Sequence, residues 1–271
     1  MLKIASISSL VFALGATAAI AGGHCAAGKT LSEGKLTIAT GNPAYYPWVH
    51  NDAPESGEGF EAAVAYAVAG EMGFANEDVV WVRSSFDEAI QPGAKNFDFN
   101  MQQYSITAER DQVVDFSAPY YTAPMAVLVS PGATETAPTL AALKELKWGA
   151  VGSTTAVPKL AAVIQPSSDP LLYGDNADVN AAMAANQIDA ALFDLPTALF
   201  LSAVMIEGSK VIGQFPADSS DNPDQFGMLM EEGNPLKACV DEALAALSAN
   251  GTLAAIEAQW LQDATGVPLI K

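Results

Sequence analysis

The chain predicts an α/β fold built as two lobes around a cleft. Three observations carry this. Short apolar runs alternate with stretches of helical period, the pattern of a parallel sheet flanked by helices. The pattern fills the first third, pauses at the polar, proline-containing loop Ser130 to Pro138, and then starts again. Polar residues gather where a strand should open, and ligands in α/β sheets bind at the carboxyl ends of strands. The chain has 271 residues, 50% of them hydrophobic and 16% charged. It can therefore bury sizeable cores, in one large domain or two ordinary ones.

The elements follow in order. Leu36 to Thr40 reads as a short buried strand, broken by Gly41-Asn42-Pro43. Phe60, Val64, Val68 and Met72 recur every four residues and mark a helix ending at Gly73. Val79 to Val82 is a second strand. Asp87 to Ile90 starts a helix that stops near Pro92-Gly93. Phe97 to Met101 is a third strand and Met125 to Val129 a fourth. The second half reads as helix near Leu140 to Leu146, strand Trp148 to Val151 and a helix from about Thr154. Helix Val179 to Ala185, strand Ala190 to Phe193 and helix Pro196 to Val204 come next. The polar stretch Ala217 to Gln225 precedes strand Phe226 to Met230. Leu236, Val240, Leu244 and Leu247 define one closing helix. After Gly251, Leu253, Ile256 and Trp260 define another.

The N-terminus carries an address. Lys3, the uncharged run Ile4 to Ile20 and the small-x-small triplet Ala19-Ile20-Ala21 predict a signal peptide over residues 1–21 and export to the periplasm. Cys25 and Cys239 remain in the mature chain. An even pair in an exported protein suggests one disulfide, tying the N-terminal extension to a C-terminal helix. Two free thiols, or lipid on Cys25, are the alternatives. His24 occupies the place before Cys25 where a lipoprotein needs a small residue. No Cys/His spacing suits a metal, and nothing calls for a cofactor. Acids outnumber bases 31 to 12, for a net charge of -19. That argues against nucleic acid, whose phosphates need Lys and Arg, and suits a freely diffusing monomer.

The densest chemistry lies in Phe97 to Tyr121. Gln102-Gln103-Tyr104-Ser105 follows the third strand. Thr107 is a plausible N-cap for a helix through Arg110, whose free amides and guanidinium would take a carboxylate. From composition alone, Arg110 reads more readily as a surface residue paired with Glu109 or Asp111.

Several motifs in order resemble the family 3 solute-binding proteins of polar amino acid ABC transporters. Ser105-Ile106-Thr107-Ala108-Glu109-Arg110 is similar to the family's (S/T)-I-T-x-x-R run. Val114-Asp115-Phe116-Ser117-Ala118-Pro119-Tyr120-Tyr121 resembles the V-x-F-S-x-P-Y-Y that follows it. Gly59-Phe60-Glu61 resembles the G-[FY]-[DE] helix start, with Ala63 where a second acid is usual. Ile188 to Asp194 resembles the "D-A-x-x-x-D" strand, and Asn250-Gly251-Thr252 with Trp260 the closing helices. The likeness spans about residues 35 to 262.

The resemblance implies a type II periplasmic binding protein fold. Lobe 1 would comprise residues 30–121 plus 226–271, and lobe 2 residues 122–225. Crossings would lie near Tyr121-Thr122 and Asp224-Gln225. It also implies roles. Arg110 would clamp a ligand α-carboxylate beside Ser105. Thr154 and Thr155, in a G-T-T-like turn with Ser153 for the glycine, would face the same carboxylate. Asp194 would accept the α-ammonium group, or cap the helix at Pro196, or do both. Tyr45 and Phe86 would sandwich the side chain. Asn42, Gln102 and Gln103 stand at specificity positions and point to a polar uncharged or small amino acid, since the aligned positions offer neither a side-chain carboxylate nor a second cation. The implied partners are a membrane permease and its ATPase. A ligand sensor, or a periplasmic dehydratase on the same fold, is the competing reading. The chain lacks a Ser-His-Asp set or a nucleophile motif, so no enzyme is expected.

Overall fold

The computed structural model describes residues 25–215, 224–261 and 266–271. The expected signal peptide lies outside them. The strands are β1 (Leu36–Thr40), β2 (Val79–Arg83), β3 (Phe99–Asn100), β4 (Val114–Phe116), β5 (Tyr121–Thr122) and β6 (Met125–Val129), then β7 (Trp148–Val151), β8 (Leu171–Tyr173), β9 (Ala190–Asp194), β10 (Lys210–Phe215), β11 (Gln225–Phe226) and β12 (Leu229–Glu231). The helices are α1 (Phe60–Glu71), α2 (Phe86–Ala89), α3 (Leu140–Leu143), α4 (Ala156–Lys159), α5 (Asn176–Ala184), α6 (Leu195–Phe200), α7 (Lys237–Ala249) and α8 (Thr252–Trp260).

Two mixed sheets result. The first runs β2-β1-β3-β12-β4, with β1 parallel to both neighbours and β12 antiparallel to both of its own. The second runs β10-β6-β9-β7-β8, with β7 parallel to its neighbours and β6 antiparallel to its own. Strands β5 and β11 pair as an antiparallel ribbon where the chain passes between the sheets. All residues of β1 and β6 are buried, because elements cover both faces of each sheet.

The period-four stripe of α1 explains its docking. Phe60, Val64, Val68 and Met72 join one core with Leu236, Val240, Leu244 and Leu247 of the C-terminal helical segment. Each such side chain contributes about 1.5–3 kcal/mol of transfer free energy. Gly59 sets the entry angle. Its φ is +103°, and a Cβ there would lie 2.5 Å from the Trp48 carbonyl oxygen. The missing side chain lets Phe60 N donate to Pro47 O at 2.8 Å and Glu61 N to Trp48 O at 2.9 Å. Trp48 and Glu61 are thus fixed together. The N-terminal extension is held by a Cys25–Cys239 disulfide, Cα–Cα 5.6 Å. Asp98 adds to this by accepting from Leu31 N at 2.7 Å and Thr37 N at 2.6 Å.

Four expectations need correction. The apolar run Phe226 to Met230 is two strands in different sheets, because the chain turns from ribbon to sheet at Gly227, against which Ile106 packs. Strands β4, β5, β8 and β10 were not expected: β4, β5 and β8 have only two or three residues, β8 follows a proline-containing loop, and β10 is interrupted by Gly213. The helix expected from Thr107 is only a 3-10 turn, Arg110–Gln112. The C-terminal residues, assigned to lobe 1, run along the second sheet. Gln214 N donates to Pro268 O, Ile270 N to Gln214 O and Leu140 N to Lys271 O, at 2.8–3.0 Å. Gly213 makes the seat, since a Cβ there would overlap the Ile270 side chain.

Candidate functional site

A cavity of about 370 Å³ lies between the two sheets, and Asn42, Tyr45, Phe86, Gln102, Gln103, Ser105, Arg110, Thr154, Thr155 and Asp194 all line it. The volume is that of a small-molecule site.

Arg110 forms the inner wall and is 9% exposed. Its neighbours are not Glu109 or Asp111. Nη1 donates to Ser105 O and Nη2 to Ser153 O, each at 2.8 Å. A guanidinium has five N–H groups, so donors remain for a ligand. Thr107 Oγ1 accepts from Arg110 N at 3.2 Å; that amide closes the turn and is not free for a carboxylate. Phe86 supports the guanidinium from below, with its ring centroid 5.3 Å from Cζ. Phe86 in turn stacks on Tyr104 at 4.6 Å. Burial pulls the Arg110 pKa down, and Asp224 opposes the fall.

The turn after β7 brings a second set of groups. Thr154 Oγ1 donates back to Val151 O at 2.8 Å. Thr155 Oγ1 lies 3.5 Å from Ser105 Oγ, in the loop after β3, and 3.5 Å from Asp224 Oδ2, just before β11. Ser153, in the place of a glycine, gives its carbonyl to Arg110 and leaves its hydroxyl buried without a partner among the described residues.

Asp194 ends β9 and caps α6, its Oδ1 accepting from Thr197 N at 2.8 Å. The capping role expected of it is therefore present, and the same side chain lines the cavity. Burial pushes its carboxyl up to about 6. Hydrogen bonds from Thr197 restrain the rise and the Asp224 charge adds to it. Tyr45 is raised too, first by burial, then by Asp175 and Asp52.

Gln103 lines the cavity but gives its N–H groups to Glu61. It sits in the left-handed region, φ +51°. Its amide donates to Glu61 Oε1 at 2.8 Å and its side chain to Glu61 Oε2. Tyr120 also donates to Glu61. Glu61 is a buried anchor for the loop after β3, not part of the wall. Burial raises its carboxyl to about 7 against these three hydrogen bonds. Gln102 Oε1 accepts from Tyr104 at 3.0 Å, while Asn42 is exposed at the rim.

Sequence reading missed five residues. Asp87 and Asp175 are exposed at the mouth, and Asp224 lies deeper. Asp224 Oδ1 is buried with no hydrogen-bond partner among the described residues, and burial raises its pKa. Its position just before β11 was the available signal. Trp48 Nε1 donates to Thr197 Oγ1 at 2.8 Å across the cleft. No local pattern joins two residues 149 apart in sequence.

Residues 36–263 match the model of the bacterial extracellular solute-binding proteins, family 3. The L-arginine-binding protein of Pseudomonas aeruginosa is 26% identical over 230 residues, which cover 82% of this chain and 87% of that protein. The L-cystine-binding protein TcyJ of Escherichia coli is 29% identical over 168 residues, 62% of this chain and 61% of that protein. Among solved structures, an ancestral arginine-binding protein bound to arginine superimposes with a TM-score of 0.68 at 25% identity, covering 85% of this chain and 99% of that one.

Proposed function

The chain belongs to the bacterial extracellular solute-binding proteins, family 3, and on that premise we propose that it captures a free amino acid outside the cytoplasm. The one observation that carries this is a pair of opposite charges on one cavity wall, Arg110 and Asp194. A buried ion is costly unless it is paired. A zwitterion satisfies both, its α-carboxylate on the free N–H groups of Arg110 and its ammonium group on Asp194. The arginine- and cystine-binding relatives support the same ligand class. Contacts drawn from both sheets favour the closed form, so the ligand shifts an open–closed equilibrium. A membrane permease with its ATPase reads that closed form in the periplasm.

The ligand side chain is polar and not anionic. Arg110 is the one Lys or Arg on the described wall, and it serves the α-carboxylate. Asn42 and Gln102 suit the polar uncharged side chain expected from sequence. That expectation rested on the want of a side-chain carboxylate, and Asp87 and Asp175 now supply two at the mouth. They favour a second reading, a cationic side chain, by Coulomb attraction.

A thermal-shift screen of ligand-stripped protein against the twenty L-amino acids tests this. A ligand at about 100 times its Kd adds roughly 2.7 kcal/mol to the native state, which raises Tm by on the order of 5–10 °C. The expected shift comes with neutral polar or cationic amino acids and is lost in Arg110→Ala and Asp194→Ala. A largest shift with aspartate or glutamate, or none with any amino acid, overturns the proposal.

A further inference from the structure

We infer that Trp48 and Thr197 form a latch that ties closure of the cleft to the acid holding the ligand ammonium group, which makes both residues determinants of affinity. The inference rests on the reading of Asp194 given above.

Trp48 belongs to the first unit, meaning the first sheet with the core around it, the second unit being the second sheet with its own. Trp48 is 1% exposed, packed among Phe60, Tyr121 and Phe226. Its indole N–H is the one polar group on that buried side chain. The N–H reaches out of this core to Thr197, on the first turn of α6 in the second unit, at 2.8 Å. Tyr46 and Phe200 add a second contact nearby, ring centroids 5.0 Å apart.

Thr197 is also the residue that fixes Asp194. Its backbone N–H donates to Asp194 Oδ1. A threonine hydroxyl has one proton and two lone pairs. With Trp48 donating into the oxygen, the hydroxyl proton is left to point elsewhere, and the Asp194 carboxylate is beside it. The direction runs from Trp48 N–H to Thr197 O–H to Asp194. Ionised Asp194 favours that order of donors, and an ammonium ligand favours ionised Asp194. The Trp48–Thr197 bond is made only when the two units are together, so its free energy acts on the closed state and not on the fold of either unit.

Thr197→Val keeps the shape and the backbone cap but removes the acceptor, leaving the indole N–H buried and unpaired in the closed form. The expected loss of affinity is about 5–150-fold, equivalent to about 1–3 kcal/mol, expressed as faster ligand release. Thr197→Ser keeps the hydroxyl and the wild-type Kd. Trp48→Phe weakens binding similarly, and Trp48→Phe with Thr197→Val is no worse than the weaker single variant. All four variants are titrated calorimetrically with L-arginine and the other nineteen L-amino acids; Thr197→Val and Thr197→Ser keep the wild-type Tm when ligand-free, while Trp48→Phe, alone or combined, lowers it by opening a gap in the core. Should Trp48→Phe fail to fold, the valine and serine variants decide alone. Wild-type affinity in Thr197→Val, or additive losses in the double variant, overturns the latch while leaving the amino-acid reading intact. A wild-type protein that binds none of the twenty overturns that reading and the latch with it.

Discussion

Lowering pH should empty the site through Asp194. The carboxyl titrates at about 6 because it is buried, well above the ordinary value near 3.9. The ammonium ligand binds the ionised form, so the apparent Kd varies inversely with the ionised fraction. That fraction is about 99% at pH 8 and about 9% at pH 5. The sign is fixed: affinity is full near pH 8, about half at pH 6, and falls further as pH drops. Kd should rise about tenfold from pH 8 to pH 5. Other groups face this carboxyl. Asp224 and Glu61 are also raised by burial, and the Tyr121 hydroxyl, raised further still, stays neutral throughout. Asp194→Asn separates them. It retains Oδ1 for the Thr197 cap but loses a charge-assisted hydrogen bond worth about 1.5–3 kcal/mol. Binding should weaken by about 10–150-fold at pH 8, and the slope contributed by Asp194 should vanish. Isothermal titration at pH 5, 6, 7 and 8 gives both quantities. A flat wild-type profile, or an unchanged slope in Asp194→Asn, refutes the role of this carboxylate.

Three further predictions use ligand-free protein. Glu61 holds its proton to about 7 when folded against 4.5 when exposed, so the native chain binds the extra proton in that window and this contribution to stability is lost as pH rises through it. Glu61→Gln should therefore gain stability relative to wild type from pH 5 to pH 8, by at most about 3 kcal/mol, as read from urea midpoints; no relative gain rejects the buried-proton account. Asp224→Asn relieves a buried carboxylate with one unpaired oxygen and should raise Tm by about 2–4 °C at pH 8, with a smaller gain at pH 5, measured by calorimetry. The Cys25–Cys239 bridge closes a loop with a sequence separation of 214, so the double serine variant should lose about 2–5 kcal/mol. Equal stability of reduced and oxidised protein would remove the bond as a determinant.

Much of the fold was legible because its signals are local. The period of Phe60, Val64, Val68 and Met72 gave α1. The apolar runs at Leu36 to Thr40 and Met125 to Val129 gave the two buried strands, and the order of motifs gave the two-sheet plan. The ten candidate residues were legible by resemblance, and the fold collects all ten around one cavity. What tertiary structure alone decided is where side chains spend their hydrogen bonds. Gln103 reads as a specificity residue until a left-handed backbone turns it onto Glu61. Asp224 reads as part of a linker until β11 sets it beside Thr155 and Arg110. The reason is physical: periodicity and turn chemistry act over a few residues, whereas burial and pairing of a polar group depend on what the chain brings back from far away. Trp48 meets Thr197 across 149 residues, and Cys25 meets Cys239 across 214. In the same way Ile270 finds its seat at Gly213 on the second sheet, which composition of the tail could not reveal.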